Sequence, residues 1–171
     1  SRVLSRNIDR LAEEFAEAVP SIVLFSDLSG FSVAGAQLIR SDDRGAEELR
    51  SIVNAVFERV NEAIHSHGGH TLQFSGDAVT AAWPIEGAVA AEFIASSLSS
   101  GLAIQAACRG LAIGGFDLKM RVAIARGPVW IAHLSPKGGS GELVICGDVF
   151  EAFSSSGTHQ DGVLVTPEFW P

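Results

Sequence analysis

Four apolar residues in a row, Ile22, Val23, Leu24 and Phe25, give way within two positions to Asp27 and then to the small-residue segment Leu28, Ser29, Gly30, Phe31 and Ser32. A short run of branched and aromatic side chains reads as a buried strand. Its carboxyl end is where open α/β sheets place ligands, and it delivers a carboxylate there. Asp27 serves either as a turn or helix-cap residue, since Asp and Ser favour helix starts, or as a metal ligand. The second role needs another carboxylate elsewhere in the chain.

The remaining elements follow in order. Ile8, Leu11, Phe15 and Val19 recur at three- and four-residue steps and predict an amphipathic lead-in helix over residues 7–19, ended by Pro20. The expected organisation is therefore a lead-in helix in residues 1–19 and one domain in residues 20–171. Leu49, Ile52, Val53, Val56, Phe57, Val60 and Ile64 form a helical stripe that Gly68 and Gly69 terminate. Residues 71–74 and 78–83 alternate as two strands around the tight turn Ser75-Gly76-Asp77, a β-hairpin with an acid at its tip. Residues 88–109, rich in Ala, form one helix or two interrupted near residues 99–101. Residues 118–125 are extended, Gly127-Pro128 kinks the run, and residues 129–134 and 143–145 are strands. A helix over 148–154 and a strand over 163–165 complete the chain, with a turn started by Pro167. A hairpin set among helix-separated strands predicts an α+β fold, a ferredoxin-like sandwich of mostly antiparallel sheet with helices packed on it.

A chain of 171 residues fits one domain with a real core. Twelve basic against twenty acidic residues, a net charge of −8, disfavour nucleic acid and anionic membrane surfaces as partners, which need clustered Lys and Arg. No apolar run reaches membrane-spanning length, and residues 1–19 lack the basic-then-apolar order expected of a signal peptide. Cys108 and Cys146 are too few for a disulfide framework or zinc site, which suits a cytoplasmic location. Because Ser1 is not a start Met, the expectation is a domain excised from a longer chain. His65, His67 and His70 sit on a Gly-broken helix exit with no acid at ligand spacing and read as a solvated helix end.

Asp77 is the second carboxylate. Serving its turn is the plain reading. If the first strand lies beside the hairpin, however, Asp27 and Asp77 meet and can hold divalent cations with phosphate oxygens, the hard-oxygen setting magnesium takes. Backbone N–H groups over residues 28–32, running into a helix start, would cradle an anion.

Residues 25–32, 43–49, 68–78 and 118–127 together resemble the catalytic domain of class III nucleotidyl cyclases. The closest likeness is to the first half of bicarbonate-responsive soluble adenylyl cyclases, over residues 20–170. The resemblance implies that Asp27, Asp77 and the Leu28 carbonyl hold two Mg2+, with Mn2+ a substitute. It implies further that Ser29, Gly30, Phe31 and Ser32 wrap the triphosphate of ATP and that Arg121 contacts phosphate. Gly76 and Gln73 fall in the substrate-binding segment. The implied reaction is attack of the ribose 3′-hydroxyl on the α-phosphorus, expelling pyrophosphate and closing cyclic AMP.

Such enzymes form the site between two domains, the partner side supplying a base-reading Lys, a ribose-orienting Asn and a transition-state Arg. This chain has Gln73, Phe150 and Ser154 at those places, and Leu143 where an acid or Thr reads the base. The resemblance therefore implies a half that pairs with a second cyclase domain, and a symmetric homodimer without activity. The alternative is a degenerate cyclase-homology module that binds nucleotide or dimerises for regulation. The bicarbonate pocket of the soluble group would need a Lys and an Arg where Gln73 and Phe153 stand. A dehalogenase-like phosphatase would want an Asp at Ser29, and no Walker loop is present.

Overall fold

The computed structural model describes residues 14–31, 34–36, 43–85, 87, 91–113, 116–134, 142–151, 153 and 162–170. Ser32, Ser154 and most of the expected lead-in helix lie outside them. The sheet is built from β1 (Phe15–Ser29), β2 (His70–Ser75), β3 (Ala78–Pro84), β6 (Lys119–Leu134), β7 (Glu142–Cys146) and β8 (Val163–Val165). Its order is β2-β3-β1-β6-β7, every one of those pairs antiparallel, with β8 parallel beside β6. A separate two-stranded ribbon, β4 (Ala112–Ile113) with β5 (Phe116–Asp117), precedes β6. The expected α+β sandwich is the observed architecture.

Two long helices, α1 (Asp43–Ser66) and α2 (Ala91–Ala107), cover one face of the sheet. Alternation decides which side chains meet them. Ile22, Leu24 and Leu28 of β1 and Val122 and Ile124 of β6 join Val56, Val60 and Ile64 of α1 in the main core. α2 is one continuous helix, not two. Its small residues at 100–101 are the contact, not a break: a Cβ on Gly101 would lie 3.2–3.3 Å from Val163, Ile124 and Val122, and the Ser100 hydroxyl donates to the Ala63 carbonyl of α1 at 3.2 Å. The opposite face carries a smaller cluster that includes Val23, Ala82, Ala123, Val149 and Phe153.

The end of the expected lead-in helix is strand. Phe15 to Val19 belong to β1 and pair with His133 to Val129 of β6, so the sheet begins before Pro20 and the proposed boundary at residue 20 falls inside it. Pro20 does not stop the strand, because its carbonyl accepts from Ile85 at 2.8 Å and therefore faces β3, as its nitrogen must. Toward β6 it makes a non-bonded pair with Pro128, where neither residue needs an N–H. For the same reason β6 runs unbroken through Gly127-Pro128. The expected helix over 148–154 is a 3₁₀ turn at Asp148–Phe150, with helical backbone at Glu151 and Phe153.

Candidate active site

β1 and β3 are neighbours, which is the condition for the two acids to meet. Asp27 is the cross-strand partner of Ala78, the residue after Asp77, and the Leu28 N–H donates to the Asp77 carbonyl at 3.3 Å. One backbone hydrogen bond thus ties the strand end carrying Asp27 and Leu28 to the hairpin tip carrying Asp77. Leu28 is 2% exposed and sits in the main core, so its side chain anchors the strand end while its backbone stays at the site. Gly76 turns the hairpin with φ +63°, a conformation that favours glycine.

On the other side of β1, Asp27 is the cross-strand partner of Arg121 in β6. The Arg121 guanidinium donates through Nη2 to Asp27 Oδ2, an ion pair whose Asp and Arg side chains are 16% and 30% exposed. Both residues sit on the sheet face opposite the helices, since their neighbours Leu28 and Met120 belong to the helix-side core.

The segment after β1 reverses at Gly30, φ +89°, where a Cβ would stand 3.3 Å from the Asp117 carbonyl. The Gly30 carbonyl accepts from Ala34 at 3.1 Å, opening a helical turn at residues 34–36. Ser29 closes the β1 ladder opposite Lys119, and Phe31 packs on the main core instead of facing outward. Ser32 cannot be placed among the described residues.

A concavity of about 620 Å³ opens on the face opposite α1 and α2, lined by Asp27 and Arg121 at the acid end and by Gln73, Ile145, Phe150 and Phe153 across it. A bulge in β2 between Thr71 and Gln73 places Gln73 opposite Thr80 and on this face. Phe153 stacks on Phe25 at 5.5 Å and meets Phe150 edge-on at 6.5 Å. Phe25, Thr80, Ser75 and Gly147 also line the space and were not singled out from sequence. Strand parity carried the signal for Phe25 and Thr80, which fall on the Asp27 face once β1 and β3 are paired.

Among the described residues no three of His, Cys, Asp and Glu converge as a metal cluster. His67 Nδ1 lies 2.8 Å from the Ala63 carbonyl, part of the helix exit. The donor chemistry of Asp27 and Asp77 is nonetheless of the kind magnesium takes, since it is commonly bound through one or two carboxylates plus substrate phosphates. Among the described residues no helix is long and apolar enough to cross a membrane.

No family model matches the chain. Over 153 residues it is 25% identical to adenylate cyclase type 10 of Rattus norvegicus, and over 160 residues 25% identical to that of Homo sapiens. The matches cover 87% and 91% of this chain but 10% of those proteins, so the chain spans about a tenth of the length of the curated relatives it matches. The crystal structure of the adenylyl cyclase CyaB from P. aeruginosa matches with TM-score 0.68 at 19% identity, over 91% of this chain and 80% of that one. The guanylate cyclase domain of RhGC from Catenaria anguillulae, solved in complex with GTP, matches with TM-score 0.68 at 16% identity, over 92% and 81%. Sequence and fold agree: this is a domain of class III nucleotidyl cyclase fold, homologous to a segment of adenylate cyclase type 10.

Proposed function

We propose that the chain is the metal- and triphosphate-binding half of an adenylyl cyclase, converting ATP to cyclic AMP and pyrophosphate together with a complementary second cyclase domain in a reducing cytoplasm. The observation that supports this reading is the convergence of Asp27, the Leu28 backbone and the Asp77 turn at one end of β1, with Arg121 beside them. Asp27, Asp77 and the Leu28 carbonyl would hold two Mg2+, or Mn2+ in its place. Cations there supply charge neutralisation of the triphosphate and a more acidic 3′-hydroxyl.

The chain's own residues then bind and orient. Arg121 carries a fixed charge with a planar fork suited to phosphate oxygens. In this reading the segment that reverses at Gly30, Ser29 to Ser32, would form the triphosphate loop. In the reaction the 3′-oxygen bonds to the α-phosphorus, the bond from that phosphorus to the bridging oxygen breaks, and pyrophosphate leaves with the electron pair. The hydroxyl proton passes to solvent or to a group of the partner. Positioning and electrostatic stabilisation carry most of the barrier reduction in phosphoryl transfer.

Base reading falls to the second domain. Gln73 offers hydrogen bonds without charge, while Leu143 and Phe150 offer neither charge nor polarity. A homodimer of this chain would accordingly be inactive. The aromatic cluster of Phe25, Phe150 and Phe153 favours a second reading, a regulatory module that binds nucleotide without turnover. Cyclic nucleotide production from MnATP and MnGTP, by the domain alone and mixed with a complete second cyclase half, separates the two. Mixed activity from ATP that vanishes in Asp27→Ala supports the enzyme; silence in every mixture with nucleotide binding intact supports the module.

A further inference from the structure

We propose that Arg121 and a divalent cation compete for Asp27, so that the site takes metal weakly until a polyphosphate draws the guanidinium away. The inference rests on the metal-and-phosphate reading of this site. Its basis is the contact of Arg121 Nη2 with Asp27 Oδ2 between facing positions of β1 and β6.

A carboxylate oxygen already engaged by a guanidinium has less to offer a cation, and the two positive charges repel across it. Backbone motion cannot relieve the competition. The ladder is paired on either side, Ser26 with Val122 and Leu28 with Met120, and Leu28, Met120 and Val122 are all buried in the core. The Arg121 side chain, 30% exposed, borders the concavity shared with Gln73 and Phe150, so the long side chain has room to swing while its Cα stays fixed. A polyphosphate presents several charged oxygens to a planar fork and outcompetes one carboxylate oxygen. When it takes Arg121, Asp27 is released to metal. Metal and polyphosphate therefore bind with positive coupling, and the coupling is reciprocal. Because the pair is only partly shielded, its worth is modest, and release of Asp27 tightens metal binding roughly three- to tenfold.

The test uses each ligand alone. Mn2+ is titrated without nucleotide, with free Mn2+ read by electron paramagnetic resonance; inorganic tripolyphosphate is titrated calorimetrically in the presence of chelator. Arg121→Gln is expected to tighten Mn2+ roughly three- to tenfold while weakening tripolyphosphate by at least as much. Asp27→Asn should do the reverse, abolishing Mn2+ binding and leaving tripolyphosphate binding equal or tighter. A general structural defect would move both ligands the same way. Arg121→Lys, which keeps the charge but loses the fork, covers the case in which the Gln variant fails to fold, and should shift both affinities in the same directions by smaller factors. Mn2+ binding unchanged or weaker in the Arg121 variants, with Asp27→Asn still losing it, overturns the competition and leaves the site reading standing. Mn2+ binding indifferent to Asp27→Asn overturns the site reading itself.

Discussion

Gly147 joins β7 to the far wall of the concavity and lies against β6, and replacing it with Ala should cost far more than the same change at Gly76. Both glycines have positive φ, +154° and +63°. At Gly76 an added Cβ meets nothing within 4 Å, so the variant carries only the backbone penalty, about 1 kcal/mol. At Gly147 the Cβ would stand 2.6 Å from the Pro128 carbonyl oxygen, with Pro128 C and Val129 Cα at 3.6 Å. Those are backbone atoms of a paired strand and have no rotamer by which to move aside. The 147 segment must shift instead, and it carries Val149, 5% exposed against the sheet face opposite α1 and α2, and Phe150, whose N–H donates to the Gly147 carbonyl at 3.1 Å. Strain plus lost packing should total about 3 kcal/mol. For a chain of this size that is a fall in melting temperature of roughly 6–12 °C, against roughly 2–4 °C for Gly76→Ala. Calorimetric melts of the two variants in parallel measure the difference. Equal melting temperatures would refute the claim that the Pro128 carbonyl fixes the position of this wall.

Phe153→Ala removes a side chain 5% exposed and stacked on Phe25, and should lower stability by about 3 kcal/mol in urea titration; a loss under 1 kcal/mol would mean the aromatic wall is not packed as described. The two thiols should separate cleanly in labelling, since Cys146 is exposed and Cys108 is buried. Burial pushes the Cys108 thiol up from its ordinary value, partly offset by the Arg59 charge. The unfolded thiol therefore gives up its proton first, so the contribution of Cys108 to stability is complete below about pH 8.5 and is lost as pH rises toward the folded thiol's higher value. Denaturation midpoints taken across that window should fall less steeply in Cys108→Ala; an identical slope removes Cys108 as the cause.

Much of the fold was legible because its strongest signals are local. The stripe from Leu49 to Ile64 buries one face of α1, and the glycines after it close the helix, with the Gly69 N–H donating to the Ile64 carbonyl at 2.9 Å. Other features depend on partners distant in sequence. The helical spacing of Phe15 and Val19 is real, but Phe15 sits 8% exposed in the second cluster as part of a strand paired with β6, over a hundred residues later. Pro20 reads as a terminator until β3 is known to end beside it. Residues 100–101 read as a helix break until α1 and the sheet are placed against them. At the site, Asp27 and Asp77 were each visible as an acid at the end of an apolar strand. Their tie through Leu28 and the capture of Asp27 by Arg121 required the order β3-β1-β6, which no local pattern contains.

That order also explains why one face of the sheet divides chemically. Asp27 and Arg121 lie at adjacent positions on β1 and β6, held by paired backbone near the centre of the sheet, and the turn carrying Asp77 is tied to the same end of β1 through Leu28. Gln73 lies on β2 at one edge of the sheet and Leu143 on β7 at the other, with Phe150 beyond β7. Substitution at an edge or after it changes what the face can recognise while leaving the central register intact; substitution at Asp27 or Arg121 changes an ion pair set between two paired strands. On the proposed function, this division leaves base recognition to a second, complementary domain and charge at the centre of the face to this chain.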